Sequence, residues 1–156
     1  IELGTYSDSD WAGDKIDRRS VSGYISMLYG NPLGWGSHKQ TTVALSSAEA
    51  EYYALTDACK ETAHITNILS ELMDVPSPVP VLVDNVGAGY IAKKAINNKR
   101  TKHMDIRFHW IRHMVKEGIV KMYYVPTADN ISDIFTKALP PQTFLKFVKR
   151  IFKIEP

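Results

Sequence analysis

Between Val21 and Leu28 the chain alternates: Val21, Ile25 and Met27 fall on one side, and Ser20, Ser22, Tyr24 and Ser26 on the other. A period of two predicts a half-buried strand. A shorter strand-like run, Thr5 to Asp10, precedes it. After the turn residues YGNPLG a third begins at Leu33–Trp35 and extends toward Val43. Three strands with short links predict an antiparallel meander. From Ser46 to Met73 the period becomes helical, with Leu55, Ala58, Ile65, Leu69 and Leu72 on one stripe. Ser46 and Glu49 form a capping-box pair at its start. The segment DVPSPVP breaks that helix, and the apolar run VPVLVD then reads as a buried, parallel strand. A short helix is predicted over Asn85–Ile96, capped by Asp84 or Asn85. Another runs from Thr101 to Lys116, with Met104, Phe108, Ile111 and Val115 facing the core. Ile119–Val125 is the fifth strand. Thr127 or Asp129 caps a helix carrying Asp133, Pro140–Pro141 ends it, and a final amphipathic helix follows. Trp35 and Trp110 are expected in the core. The sum is an α/β fold: a five-stranded mixed sheet, three antiparallel strands then parallel ones, flanked by helices.

One residue breaks this pattern. Extended back by one turn, the apolar stripe of the long helix lands on Glu51. A carboxylate on a packing face is costly to desolvate unless a cation, a donor or a proton compensates it. Asp8, Asp84 and Asp133 also stand where predicted strands end or helices begin. Four acids converging on one end of a sheet make a divalent-metal site. Each has an ordinary alternative: Asp10 shares a strand face with Asp8, Asp84 can cap the next helix, and Asp133 suits the positive end of a helix dipole.

At 156 residues, with 44% hydrophobic and 23% charged residues, the chain has the size and make-up of one globular domain, taken as 1–156 with 139–156 as a C-terminal helical extension. No stretch is long enough to span a membrane, and the first residues do not resemble a signal peptide. The start at Ile1 suggests a piece of a larger protein. The lone Cys59 fits a small core residue and a reducing compartment. The formal charge of +2 is uninformative, but its distribution is not. Lys93 to His113 is rich in Lys and Arg with Asp105 as its one acid, away from the acidic segments. Such separation suits a polyanion gripped at one place and processed at another. His109 and His113 stand at i, i+4, but without supporting ligands they read as surface or packed histidines.

The segments YSDSDWAGD (6–14), SHKQTTVALSSAEAEYYAL (37–55), LVDN (82–85), RTKHMDIRFHWIR (100–112) and ADNISDIFTKALP (128–140), in this order, resemble the ribonuclease H domain of copia-type LTR retrotransposon Pol polyproteins. The resemblance spans nearly the whole chain. It implies a ribonuclease H-like fold and an endonuclease that cuts the RNA strand of RNA–DNA hybrids during reverse transcription. It implies Asp8, Glu51, Asp84 and Asp133 as catalytic ligands of two Mg²⁺ ions, with Mn²⁺ as a substitute. It also implies a partner in an adjacent reverse transcriptase domain, no membrane, and a location in a cytoplasmic virus-like particle or the nucleus. Lys39, Gln40, Ser46 and Ser47 are then expected at an edge that faces the hybrid's minor groove, and Asn85 is also expected to bind nucleic acid. On electrostatic grounds, Lys93, Lys94, Lys99, Arg100 and Lys102 are expected to hold DNA phosphates. Many members carry a His on a mobile loop before the last Asp; here VPTADNISD has none, and Asn130 stands at that distance. The other reading is a weakly active or inactive domain that binds nucleic acid, or supports the polymerase through Phe144, Phe147, Val148 and Ile151.

Overall fold

β1 (Leu3–Asp10), β2 (Val21–Leu28), β3 (Asn31–Lys39), β4 (Val79–Val83) and β5 (Val120–Tyr124) form one sheet in the order β3-β2-β1-β4-β5. This computed structural model describes residues 3–84 and 102–154, with the backbone alone at 102–105. The helix expected over Asn85–Ile96 lies outside the described residues. So do Asn85, Lys93, Lys94, Lys99 and Arg100, and the side chains of Lys102 and Met104. The first three strands are antiparallel, and β4 and β5 join β1 in parallel, as the sequence predicts. Parallel neighbours need long crossovers. α1 (Ser47–Ser70) lies in the connection from β3 to β4, and α2 (Lys102–Lys116) in that from β4 to β5. A 3-10 turn (Thr127–Asp129), a 3-10 helix (Ile131–Phe135) and α3 (Pro141–Phe152) complete the chain.

Strand alternation sorts the core into two layers. Val81, Val83 and Val120 pack with Tyr52, Leu55, Ala58 and Cys59 of α1 and Phe108, Ile111 and Met114 of α2. Tyr6, Ile25, Met27 and Leu82 face the other way, under Ile131 and under Phe147 and Ile151 of α3. Between α1 and the sheet runs a seam of hydroxyls. Thr62 Oγ1 donates to Thr5 Oγ1 at 2.8 Å, and Thr5 and Ser26 share a 2.8 Å hydrogen bond. All three are buried.

Several expectations need correction. β2 is covered on both faces: α1 lies over the serine side, where Ser22 and Ser26 have hydrogen-bonded hydroxyls, so these serines are buried rather than solvated. Leu72 is 79% exposed because α1 ends at Ser70, before that turn reaches cover. Met114 takes the inward place expected of Val115, which is 39% exposed. β3 stops at Lys39, short of Val43. Trp35 is 62% exposed on this edge strand, whereas Trp110 packs against the first layer. Pro140–Pro141 starts α3 instead of ending a helix; proline at a first helical position forfeits only an N–H that would be unpaired anyway. Phe147 and Ile151 are buried by the sheet while Phe144 is exposed. Among the described residues, no helix is long and apolar enough to cross a membrane.

Candidate metal centre

β1 and β4 run parallel with Ser7 opposite Val83, so the next residues, Asp8 within β1 and Asp84 just past the end of β4, stand side by side. Alternation turns Asp8 toward the layer that holds Asp133. There the chain presses directly on the sheet. A Cβ at Gly23, which pairs with Asp8 across β2, would lie 2.6 Å from Thr136 Cγ2 and 2.9 Å from Phe135 Cβ. Only glycine allows so close an approach. Asp133 sits on the 3-10 helix Ile131–Phe135, not on the regular helix expected, and neither Thr127 nor Asp129 caps it. Asn130 does: its Oδ1 accepts from the Ser132 N–H, and its Nδ2 donates to Ser7 O at 3.0 Å. Asn and Ser side chains that bind nearby backbone in this way compete with regular helix, which is why the segment stays a short, tight turn.

The result is a cluster. Asp8, Asp84 and Asp133 each bring a carboxylate oxygen within 4.8 Å of the others, and they form the one such group among the described residues. Asp10 is absent from it and folds onto Gly13. Glu51, from the first turns of α1 on the opposite face, stands outside that limit but within reach of the cluster's field. Burial, then the charges of Asp8 and Asp84, push its pKa up to about 8, against a hydrogen bond from Ser9 that lowers it. Burial and the Asp8 charge raise Asp133 to about 6. Asp84 is also raised, by burial and by Asp8, although Thr127 hydrogen-bonds it. These shifts share two causes: burial, the larger, and the negative charge of the neighbouring carboxylates.

Two neighbours that the sequence reading missed partly relieve it. Thr136 Oγ1 donates a short hydrogen bond to Asp8 Oδ2. Lys137 Nζ lies 3.1 Å from Asp133 Oδ2 and 3.8 Å from Asp8 Oδ2. Burial opposes the charge on Lys137, but Asp8 and Asp133 outweigh it and its pKa is raised. The signal was present in DIFTKALP, where Lys137 follows Asp133 by four residues. An i, i+4 pair reads as a local surface contact. Even with both neighbours, Asp133 Oδ1 is buried and accepts no hydrogen bond. An all-oxygen donor set with an unspent buried oxygen fits a hard divalent cation.

The other candidates are dispersed. Gln40 is buried and ties β2 to α1 through Ser22 Oγ and Ala50 O, each at 2.9 Å. Lys39 is paired with Asp14 and Asp17. Ser46 is the N-cap of α1, accepting from Glu49 N at 3.1 Å, and Glu49 in turn accepts from Leu45 N. Ser47 is exposed at the same helix end. His109 and His113 belong to no metal-ligand cluster among the described residues.

No protein-family model matches the chain. It is 39% identical over 152 residues to the retrovirus-related Pol polyprotein from transposon RE1 of Arabidopsis thaliana, covering 97% of this chain and 10% of that protein. It is 38% identical over 142 residues to the corresponding polyprotein from transposon TNT 1-94 of Nicotiana tabacum, covering 91% of this chain and 11% of that one. The chain thus spans about a tenth of the length of the curated relatives it matches. Its fold matches LC11-RNase H1, solved in complex with an RNA/DNA hybrid, with a TM-score of 0.62 at 18% identity, over 86% of this chain and 93% of that one. It also matches the N-terminal RNase H domain of rv2228c from Mycobacterium tuberculosis, with a TM-score of 0.62 at 11% identity, over 96% and 97%. The chain is a ribonuclease H-like domain homologous to copia-type Pol polyproteins. In this ribonuclease H-like domain the acidic cluster lies where β1, β4 and the Asp133 helix meet, and the arrangement is consistent with a nuclease site.

Proposed function

We propose that this domain is a metal-dependent endonuclease that hydrolyses the RNA strand of RNA–DNA hybrids during reverse transcription of its parent element. The observation that carries the reading is the convergence of Asp8, Asp84 and Asp133 within 4.8 Å on a ribonuclease H fold. Glu51 completes the set from the α1 side. These four acids would hold two Mg²⁺ ions, or Mn²⁺ in their place. Such ions supply water activation and charge neutralisation at the leaving 3′ oxygen.

The chain's own part is positioning. Asp8 is fixed by its pairing with β2, Asp84 follows directly on the end of β4 and is hydrogen-bonded by Thr127, and Asp133 is held by the Asn130 bond to Ser7 O. A substrate phosphate bound here meets oxygens that cannot drift, and such fixation is a large share of catalysis by proximity. The exposed N-terminus of α1, with Ser46 and Ser47, offers backbone N–H groups to a phosphate. Lys39 and Gln40 stand at the same edge, though their present bonds are internal. Asn85 and the basic segment Lys93, Lys94, Lys99, Arg100 and Lys102 are the proposed grip on the hybrid. The adjacent reverse transcriptase domain of the polyprotein is the proposed partner, within a cytoplasmic particle or the nucleus.

The test is cleavage of a labelled RNA–DNA hybrid by the purified domain, with duplex DNA and duplex RNA as controls, with Mg²⁺ and with EDTA. Internal cuts in the RNA strand of the hybrid alone, dependent on the ion, are expected. Hybrid binding without cutting at high protein concentration would refute the enzymatic reading and leave a binding module.

A further inference from the structure

The Lys137 ammonium lies 3.1 Å from Asp133 Oδ2 and 3.8 Å from Asp8 Oδ2, which are carboxylates of the proposed metal centre. Its side chain is 35% exposed, between the buried acids and solvent. The backbone beneath it is held: Lys137 N–H donates to Asp133 O, and its neighbour Thr136 is bound to Asp8. What remains free to move is the four-carbon stem, which is flexible in lysine.

We propose that Lys137 is a built-in counter-cation of the acidic cluster, a positioning residue that occupies the carboxylate oxygens until a divalent ion displaces it. This rests on the reading of the cluster as a metal centre and adds a mechanism for its loading. Lys137 offsets one negative charge, whereas the three clustered carboxylates can present as many as three. An ion of charge two neutralises the cluster better, and on the same oxygens it would repel an ammonium this close. Both cations therefore cannot hold Asp8 and Asp133 at once. The lysine keeps the metal-free cluster from flying apart and, for the same reason, weakens its hold on the ion. Two ligands that bind one site at each other's expense have a reciprocal coupling.

The experiment measures Mn²⁺ and Mg²⁺ binding by titration calorimetry to the whole chain and to its Lys137→Met, Lys137→Arg and Asp8→Asn variants. Lys137→Met is expected to bind the ion about tenfold more tightly, a coupling of ordinary size, and to melt at a lower temperature in EDTA. Lys137→Arg keeps the charge and is expected to stay near the unchanged chain in both respects. A second measurement needs no variant. Acetylation of Lys137 by acetic anhydride, followed by peptide mass spectrometry, is expected to quicken severalfold when saturating Mg²⁺ is added at constant pH. Lys39, paired with Asp14 and Asp17, is the internal control and is expected not to respond. A folded Lys137→Met with unchanged or weaker ion affinity overturns the proposal, as does Lys137 acetylation indifferent to the ion. If ion binding depends on Asp8 yet either result appears, the counter-cation idea alone fails. If the unchanged chain and Asp8→Asn bind ions alike, the metal-centre reading fails and takes this inference with it.

Discussion

Asp8 is buried beside two other carboxylates and holds its place through one hydroxyl and one ammonium. Replacing it by Asn keeps the shape and removes a charge. Asp8→Asn is expected to lower hybrid cleavage by about a hundredfold or more, the cost of losing a group that fixes reacting atoms. The same variant is expected to raise the melting temperature in EDTA by a few degrees, because repulsion within the cluster falls. The pH dependence of metal-free stability follows from the same charges. Folding raises Glu51 from 4.5 to about 8 and Asp133 from 3.8 to about 6, so the folded chain binds more protons than the unfolded one between those values. Their contribution is complete at low pH and is lost as pH climbs through 6 and then 8. Asp14, held down to about 2 by Lys39 and the Ile16 and Asp17 N–H groups, is ionised in both states across this window and does not oppose the trend. The melting temperature in EDTA is therefore expected to drop from pH 5 to pH 9. Saturating Mg²⁺ should flatten that slope; an equal slope with and without ion would speak against a metal centre here.

At the scale of elements, the short 3-10 helix carrying Asp133 depends on one side chain. Asn130 is buried, caps the helix and bonds Ser7 O of the central strand. Asn130→Ala is expected to cost about 2 kcal/mol in urea unfolding, for a lost cap and a strand carbonyl left dry. Cleavage should fall with it, since Asp133 is then free to shift. The sequence reading could not foresee this helix. ADNISDIF has the composition of a capped α-helix, and which Asn or Asp becomes the cap depends on reaching a strand far away in the chain. The five strands and α1 were legible because long periodic runs bury a face wherever the fold puts them. Leu72, Val115 and Trp35 were misjudged because apolar character states a preference for burial, while cover depends on where a helix stops and which strand is the edge. Lys137 went unnoticed for the opposite reason. Its partner in sequence, Asp133, is close enough to look sufficient, and only the fold adds Asp8.

Across the whole molecule, the proposed site draws on both sides of the sheet. Asp8, Asp84 and Asp133 gather in the layer under α3, and Glu51 comes from α1 on the other face. Phe147 is buried in the layer that carries Ile131, two residues before Asp133. Phe147→Ala is expected to cost about 3–5 kcal/mol as a large cavity in a packed core. A variant with unchanged urea stability would show that α3 only rests on the surface. Of the proposed site, the three acids that cluster, Asp8, Asp84 and Asp133, could be named from where acids fall relative to the elements, and so could Glu51, the proposed fourth. How closely three of them approach, and what stands between them, required the strand register and the pinch at Gly23.

The hydroxyl seam of Thr5, Ser26 and Thr62 has a bearing on Glu51, three helical turns upstream of Thr62. An oily contact tolerates sliding; the Thr62–Thr5 hydrogen bond, which carries the seam from helix to strand, does not survive a slip of one turn, although Thr5 keeps Ser26 and Thr62 keeps Ala58 O. The seam works as a key in a slot. It sets the longitudinal position of the longest helix against the central strand, and so decides how far the fourth acid stands from the other three.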